Sequence, residues 1–355
     1  MKHYFIINPV SGKNNTIDPI NDVILPAVKK TGVEYEIYET TAQGDGTRFV
    51  KEICEKSGGE PVRFYSVGGD GTLYEVINGA YGYPNAEITV VPKGSGNDYI
   101  RLFGTPEQFL NVENLINGKV LKVDGLRVDD YTGNYEYAIN QASMGFDAET
   151  CARQSAMKAV PGAIGHVTYL LAGLYCMFTH LINNFKCTID GVEQKGPFVQ
   201  CMTAVSHWYG SGIEGAPFAD PTDGKLDFVV WRRNAFWPVI FKVGLIDWQT
   251  KGTHVYKSYV DYLRGDKVEF EALKPVYINV DGECRRVQKC SFETVPGAFN
   301  FVIPADTYYY DKKQSGEFTS DIKQGKYHKE PLYTLANKCK PFDWTIGALL
   351  RNKWK

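Results

Sequence analysis

Val62 to Val67 reads VRFYSV and leads directly into Gly68-Gly69-Asp70-Gly71-Thr72, followed by LYEVINGA at 73–80. The first run has the length and β-branched content of a buried strand, and the segment from Thr72 to Ala80 reads as a helix. Glycines between a strand and a helix let the backbone approach an anion closely and reach φ > 0 without a Cβ penalty. The helix then directs its free N–H groups and positive dipole end at that anion. Asp70 sits where the strand ends, the usual ligand crevice of such sheets, and a magnesium-linked carboxylate is wanted there. An ordinary Gly-Asp-Gly turn is the competing reading, and the strand–turn–helix placement argues against it.

The same pattern recurs next door. Ile88–Val91 reads as a strand that passes through Pro92-Lys93-Gly94-Ser95-Gly96-Asn97-Asp98 into a short helix. Two glycine-rich turns on neighbouring strands can cradle one polyphosphate, with Ser95 as a hydroxyl donor and Asp98 as a second carboxylate for a metal. Upstream, Tyr4–Asn8 and Val33–Glu39 read as strands, with helical stretches running through Lys30 and over Thr47–Lys56. Such alternation specifies a mostly parallel α/β sheet.

From about Val123 the character changes. Tyr135–Ala142, Phe198–Val205, Leu226–Val230, Lys267–Glu271, Val276–Val280 and Phe299–Ile303 read as strands, interrupted by one helical insert at about 148–185. The expectation is an α/β + β architecture: an α/β nucleotide-binding domain over 1–124, a β-sandwich over 125–310, and a tail over 311–355. The tail holds ten Lys/Arg against five Asp/Glu and ends FDWTIGALLRNKWK, which suits either a helix on a membrane surface or one packed back on the body.

Length and composition bound the function. The 355 residues suit two domains, and 43% hydrophobic with 23% charged residues is a globular composition. A net charge of −2 argues against a nucleic-acid binder. Eight cysteines without a CxxC pair suit reduced thiols in a cytosol better than a zinc site or a disulfide framework. The N-terminus, MKHYFIINPVSGK, lacks the h-region of a signal peptide. Gly162–Ile182 imitates a membrane span, but His166, His180 and several glycines favour a buried or pocket-lining helix. No Walker A motif occurs. Gly210 to Gly215 (GSGIEG) fits GxGxxG but runs into Ala216-Pro217 instead of a helix, and Ser155 to Lys158 fits SxxK without its partners.

Taken in order, the motifs resemble the diacylglycerol kinase-like lipid kinase family, which also contains sphingosine and ceramide kinases and bacterial lipid kinases. They are IINPVSGK, ETTAQGDGT, GGDGTLYEVING, VPKGSGNDYIR, VDGLRVD, YAINQASMGFDAET, IEGAPFADPTDGKLDFVV and INVDGE, spread over about 4–304. GGDGT alone is shared with NAD kinases and phosphofructokinases. GSGND and the late DGE are specific to the lipid kinases.

The resemblance implies ATP on the first domain and a lipid on the second. Asn8, Thr41, Gly68, Gly69, Gly71, Thr72, Glu75, Gly94 and Ser95 would surround the nucleotide. Asp70 and Asp98 would hold catalytic Mg2+ through water, with Asp223 or Asp227 joining that network. A structural metal of bacterial members would fall on Asp223 and the main chain of Asp220 and Lys225. Asp281 would take the hydroxyl proton, with Glu283 supporting it. Phosphoryl transfer independently wants metal neutralisation, close positioning and modest help from a base. Asp281-Gly282 is equally a common β-turn pair. One departure stands out: Tyr74 occupies a position where the family usually has Asn.

The implied partner is a lipid at the membrane surface and the implied compartment the cytoplasm, with a homodimer left open and no transmembrane segment or nucleic acid expected. The competing functions are a kinase of a soluble hydroxyl compound such as NAD, and a nucleotide-binding regulator without catalysis.

Overall fold

A computed structural model describes residues 1–12, 18–94, 96–158, 165–232, 252–257 and 259–315. Ser95 and residues 316–355 of the basic tail lie outside the described residues.

The first unit follows the strand–helix alternation. Strands β1 (Lys2–Ile7), β2 (Tyr35–Glu39), β3 (Val62–Gly68) and β4 (Ala86–Pro92) form a parallel sheet in the order β2-β1-β3-β4. Helices α1 (Leu25–Thr31), α2 (Asp45–Lys56) and α3 (Asp70–Ala80) alternate with them. β3 is buried along its whole length, which is why it reads as a continuous apolar run. Two short helices, α4 (Pro106–Leu110) and α5 (Val112–Ile116), lead out of this unit.

The second unit is antiparallel. It contains β5 (Lys119–Asp129), β6 (Tyr135–Ala138), β7 (Gln141–Gly145), the helices α6 (Phe146–Lys158) and α7 (Gly165–Thr179), then β8 (Lys186–Ile189) and β9 (Val192–Gln194). β10 (Phe198–Ala204), the small hairpin β11 (Trp208–Tyr209) and β12 (Ile213–Glu214), β13 (Leu226–Arg232), β14 (Val260–Gly265), β15 (Lys267–Val280) and β16 (Glu283–Ile303) follow. A last helix, α8 (Tyr309–Gln314), ends the described chain. Along β13, Leu226, Phe228 and Val230 enter one core while Val229 and Trp231 enter another beneath α7. That period of two buries both faces of the strand.

β16 joins the units. Its first part pairs with β15, and its end pairs in parallel with β4 through Asn300 and Phe301. β5 accompanies it, with an irregularity between Val295 and Phe299. Phe299, Phe301 and Ile303 therefore belong to the core of the first unit.

Some boundaries differ from the sequence expectation for physical reasons. Tyr135–Ala142 is broken at Ile139–Asn140, where the backbone turns its N–H groups toward Asp281. The two segments 267–271 and 276–280 are one strand whose register slips between Glu271 and Val276. The N-terminal part of β16 escaped notice because Arg286, Gln288 and Lys289 are exposed along it. Among the described residues no helix is long and apolar enough to cross a membrane. α7 has 15 residues, about 22 Å against a hydrocarbon core of about 30 Å.

Candidate active site

The loops after β1, β3 and β4 meet at the carboxyl ends of those strands. The amides of Lys93 and Gly94 donate to the carbonyl of Gly68 (2.9 and 3.0 Å), locking the second glycine turn against the first. The contact tolerates no side chain. A Cβ on Gly94 would lie 2.4 Å from Cα of Gly69, and one on Gly12 would lie 2.1 Å from the Lys93 carbonyl oxygen. Both neighbours are backbone and cannot swing away. Gly94→Ala is therefore expected to push the loops apart and weaken nucleotide binding by at least about tenfold, roughly 1.4 kcal/mol, measured by titration calorimetry.

Asp70 opens α3 and accepts hydrogen bonds from the amides of Asn97 (2.9 Å) and Asp98 (3.0 Å), which welds GGDG to the GND turn. Gly96 faces the same spot. Its absent Cβ would stand 2.5 Å from Asp70 Oδ2 and 3.5 Å from Asp98 Oδ2, so the glycine keeps open a space that both carboxylates border. Asp98 accepts from the Ser211 amide (2.7 Å) and from Arg101 Nε (3.1 Å). The GSGIEG stretch is thus a hairpin loop whose backbone orients Asp98, with φ of +70° at Ser211.

Asp281 and Gly282 form the tight turn between β15 and β16, with φ of +47° and +95°. The turn reading of the sequence is right for the backbone, yet the carboxylate points inward. Oδ2 accepts from the Ile139 amide (2.8 Å), Oδ1 from the Gln141 amide (2.7 Å), and the Asn140 amide lies 3.3 Å from both oxygens. Three donors against roughly four acceptor sites leave room for one more hydrogen bond.

The three aspartates feel one another. Burial, then Asp98 and, more weakly, Asp281 push Asp70 up to about 7, against the pull of its two amide partners. Burial pushes Asp281 up to about 6, opposed by its three amide donors. Burial also raises Asp98, held back by Ser211 and Arg101. This is an under-compensated negative cluster, and Asn97 Oδ1 beside it is buried without a partner among the described residues. The donor set fits a divalent cation carried in with phosphates. Among the described residues no three His, Cys, Asp or Glu side chains form a protein-only metal cage. Mg2+ characteristically takes one or two carboxylates plus substrate phosphates.

Glu283 leans from the second unit over the first. Its Oε1 lies 3.4 Å from where a Cβ on Gly71 would be, and Gln43 Nε2 donates to its Oε2 at 3.2 Å. Burial, then Glu75 and Glu136, raise its carboxyl.

Other candidates shape the loops. Asn8 Oδ1 accepts from the Val10 amide, curling the NPVSG turn. Thr41 donates through amide and hydroxyl to Asp45. Glu75 accepts from the amides of Gly44 (2.8 Å) and Gly46 (2.9 Å), fixing the QGDG loop. The Thr72 hydroxyl is buried against Gly68, where a Cβ would stand 2.2 Å from it. Tyr74 faces away from the glycine turns. It donates to Glu136 (2.8 Å), which also pairs with Arg285, so the departure from Asn serves as a strut between α3 and the second unit.

The remaining carboxylates are elsewhere. Asp220 pairs with Lys313 of α8 (3.0 Å) and accepts from Thr222; Asp223 pairs with Arg264 (2.6 Å) and accepts from the Lys225 amide. Asp227 lies buried 3.4 Å from Arg264, and burial pushes it up to about 7. Protein cations thus neutralise Asp220 and Asp223, and this arrangement does not fit a structural metal. Chelation by EDTA is expected to leave the melting temperature of the nucleotide-free protein unchanged, while Lys313→Met lowers it by about 2 °C in calorimetry.

Sequence reasoning assigned no role to Asp124. Its buried carboxylate accepts from the amides of Gly224 (2.7 Å) and Gly297 (2.8 Å), pinning the DG turn to the irregularity of β16. A lone Asp within an apolar strand, followed by Gly, was the available signal. Arg101 was also missed, and its spacing from Asp98 was the clue.

Family models match in two consecutive blocks. Residues 2–128 match the diacylglycerol kinase catalytic domain, and residues 140–303 match the YegS C-terminal NAD kinase beta sandwich-like domain. The diacylglycerol kinase of Bacillus subtilis (strain 168) is 26% identical over 305 residues, 85% of this chain and 96% of that one. A diacylglycerol kinase of Staphylococcus carnosus (strain TM300) is 26% identical over 282 residues, 78% and 87% of the two chains. In fold, the chain is similar to the crystal structure of a diacylglycerol kinase from Bacillus anthracis str. Sterne. The TM-score is 0.59 at 19% identity, covering 85% of this chain and 96% of that one.

Proposed function

This chain belongs to the diacylglycerol kinase-like lipid kinase family, and on that premise we propose that it transfers the γ-phosphoryl group of ATP to the hydroxyl of a lipid such as diacylglycerol, with Asp281 as the base. The observation that carries the reading is the inward-facing Asp281 carboxylate, which comes from the second unit and is electrostatically coupled to Asp70 of the first.

The glycine loops after β1, β3 and β4 receive the polyphosphate, with Ser95 in the GSGND turn as a further donor. Asp70 and Asp98 would hold Mg2+, which when bound neutralises charge on the phosphates. Arg101 and the Ser211 amide keep Asp98 aimed at that space. Asp281 remains ionised at neutral pH and has one acceptor site to spare, so it can take the proton of a lipid hydroxyl as the hydroxyl oxygen attacks. Glu283, held by Gln43 above Gly71, closes the two units over the nucleotide and limits entry of water.

The substrate implies contact with a bilayer surface. On α7 the side chains of Leu171, Leu174, Tyr175 and Phe178 are exposed at i, i+3, i+4 and i+7, with Phe178 75% exposed. Arg153 stacks over Tyr175 at 4.5 Å, an aromatic–basic pairing suited to headgroups. Phe178→Asp is expected to cut the rate on vesicles by about tenfold, while a short-chain diacylglycerol in detergent is phosphorylated at the wild-type rate. Equal loss in both assays would remove the membrane role of α7.

The function itself is tested by incubating the protein with labelled ATP, Mg2+ and extracted lipids, and separating products by chromatography. Label in a lipid supports the reading. Label only on NAD or another soluble hydroxyl compound moves the substrate class, and nucleotide binding without transfer points to a regulator.

A further inference from the structure

Of the seven cysteines among the described residues, Cys54, Cys176, Cys187, Cys201 and Cys290 are buried. The remaining two, Cys151 on α6 and Cys284 on β16, are partly exposed, and they meet. Cys151 Sγ lies 3.6 Å from the carbonyl oxygen of Gly282, and Cys284 Sγ lies 3.9 Å from the same oxygen. Cys284 Sγ is also 3.9 Å from the carbonyl oxygen of Ala148, one turn before Cys151 on α6. Both accessible thiols therefore converge on the residue that follows Asp281.

The two elements are already wired together at this point. Asp147 of α6 accepts from Asn279 Nδ2 (3.2 Å) and Ser143 Oγ (2.5 Å), while Asn279 Oδ1 accepts from the Gly282 amide (2.9 Å). The position of α6 thus sets the position of the turn that aims Asp281.

We propose that Cys151 and Cys284 form a reversible disulfide that holds the Asp281–Gly282 turn and switches phosphoryl transfer off. A bond requires the sulfurs to close to about 2.05 Å, which draws α6 and β16 together beside the Gly282 carbonyl. Shifting a reacting group by about 1 Å costs roughly a hundredfold in rate. With hydrogen peroxide as oxidant, the Cys151 thiolate attacks one peroxide oxygen, giving a sulfenic acid and hydroxide. The Cys284 sulfur then attacks the Cys151 sulfur, the S–O bond breaks, and the hydroxyl leaves with the Cys284 proton as water. The protein loses two electrons and two protons, and the peroxide becomes two waters. Hydrogen bonding to Cys151, then burial, pushes the Cys284 thiol up, which favours Cys151 as first nucleophile and Cys284 as resolving thiol. Transient redox-sensing disulfides of this kind are the ones expected in a reducing compartment.

The switch rests on the reading of Asp281 as the base, whereas the cross-link does not, so the experiment reads both. The full chain is treated with hydrogen peroxide, split into non-reducing peptide mapping and lipid phosphorylation, then reduced with dithiothreitol and assayed again. The expected result is a peptide pair linking Cys151 to Cys284, a loss of about a hundredfold in rate, and recovery on reduction. Cys151→Ser and Cys284→Ser, each with wild-type basal activity, should show neither. No linked pair after oxidation overturns the proposal. A linked pair with unchanged activity overturns the switch, and loss of activity that persists in both serine variants assigns the oxidation to another residue.

Discussion

Asp281→Asn is expected to abolish lipid phosphorylation, with kcat lower by about a thousandfold and ATP affinity within about twofold of wild type. The amide preserves the shape of the turn but removes the negative charge and the proton acceptor. An asparagine side chain keeps one acceptor oxygen for the three amides of Ile139, Asn140 and Gln141 while its Nδ2 faces another N–H, so the unchanged ATP affinity is the control that separates lost chemistry from a displaced turn. A pH profile gives an independent reading. Since Asp70 is held at about 7 and Asp281 at about 6, kcat/KM should begin to fall near pH 7 and fall more steeply than tenfold per pH unit below about 6, as the metal-holding carboxylate and then the base become protonated. A profile flat down to pH 5, or a variant with near-normal kcat, would contradict the assignment.

Asp70→Asn ranks second. It removes one of the two carboxylates bordering the space at Gly96, and the expected cost is about a thousandfold in kcat, roughly 4 kcal/mol of barrier. Unlike the change at Asp281, it should also raise the Mg2+ concentration for half-maximal activity. The same residue shapes stability. Asp70 is held at about 7 in the native protein against 3.8 ordinarily, so the native state holds its proton more tightly than the unfolded chain. Its contribution to stability is therefore greatest below about pH 4 and is lost as pH rises to about 7. Thermal scans of nucleotide-free wild type and the variant across this range should diverge, with the wild type showing the steeper decline. Parallel curves would mean that Asp70 is not the proton-holding group.

The fold was legible where local chemistry and tertiary role coincide. β3 announces itself because it is buried on both faces, and Gly68-Gly69-Asp70 because a strand end and a helix start meet there. β16 was legible only at its end. It extends far into the second unit as half of a ribbon whose outer face is solvated, and charged residues there obscure the alternation. The break at Ile139–Asn140 could not be read from YAINQ, because its cause is Asp281, far away in sequence.

The candidate site divides in the same way. The aspartates proposed for the chemistry stand in short motifs and could be named from sequence. Which residues hold them could not, since Ser211 reaches Asp98 through its backbone amide, and Asp124 pins Gly224 and Gly297 across long separations. Backbone donors leave no trace in residue identity. The DG turn shows the opposite limit. Its carboxylates match a metal motif in sequence, but Lys313 and Arg264, remote in the chain, supply the positive charge. Tyr74 stands out in the sequence only as a departure from Asn, and packing makes it a strut to Glu136.

The most direct test of the central claim is a side-by-side measurement of labelled phosphate transfer from ATP and Mg2+ to diacylglycerol vesicles and to NAD, with wild type and Asp281→Asn. Wild type should label the lipid fraction and leave NAD unlabelled, and the variant should lose the lipid signal while ATP still binds. Label on NAD with none in lipid, or equal lipid labelling by both proteins, would contradict it.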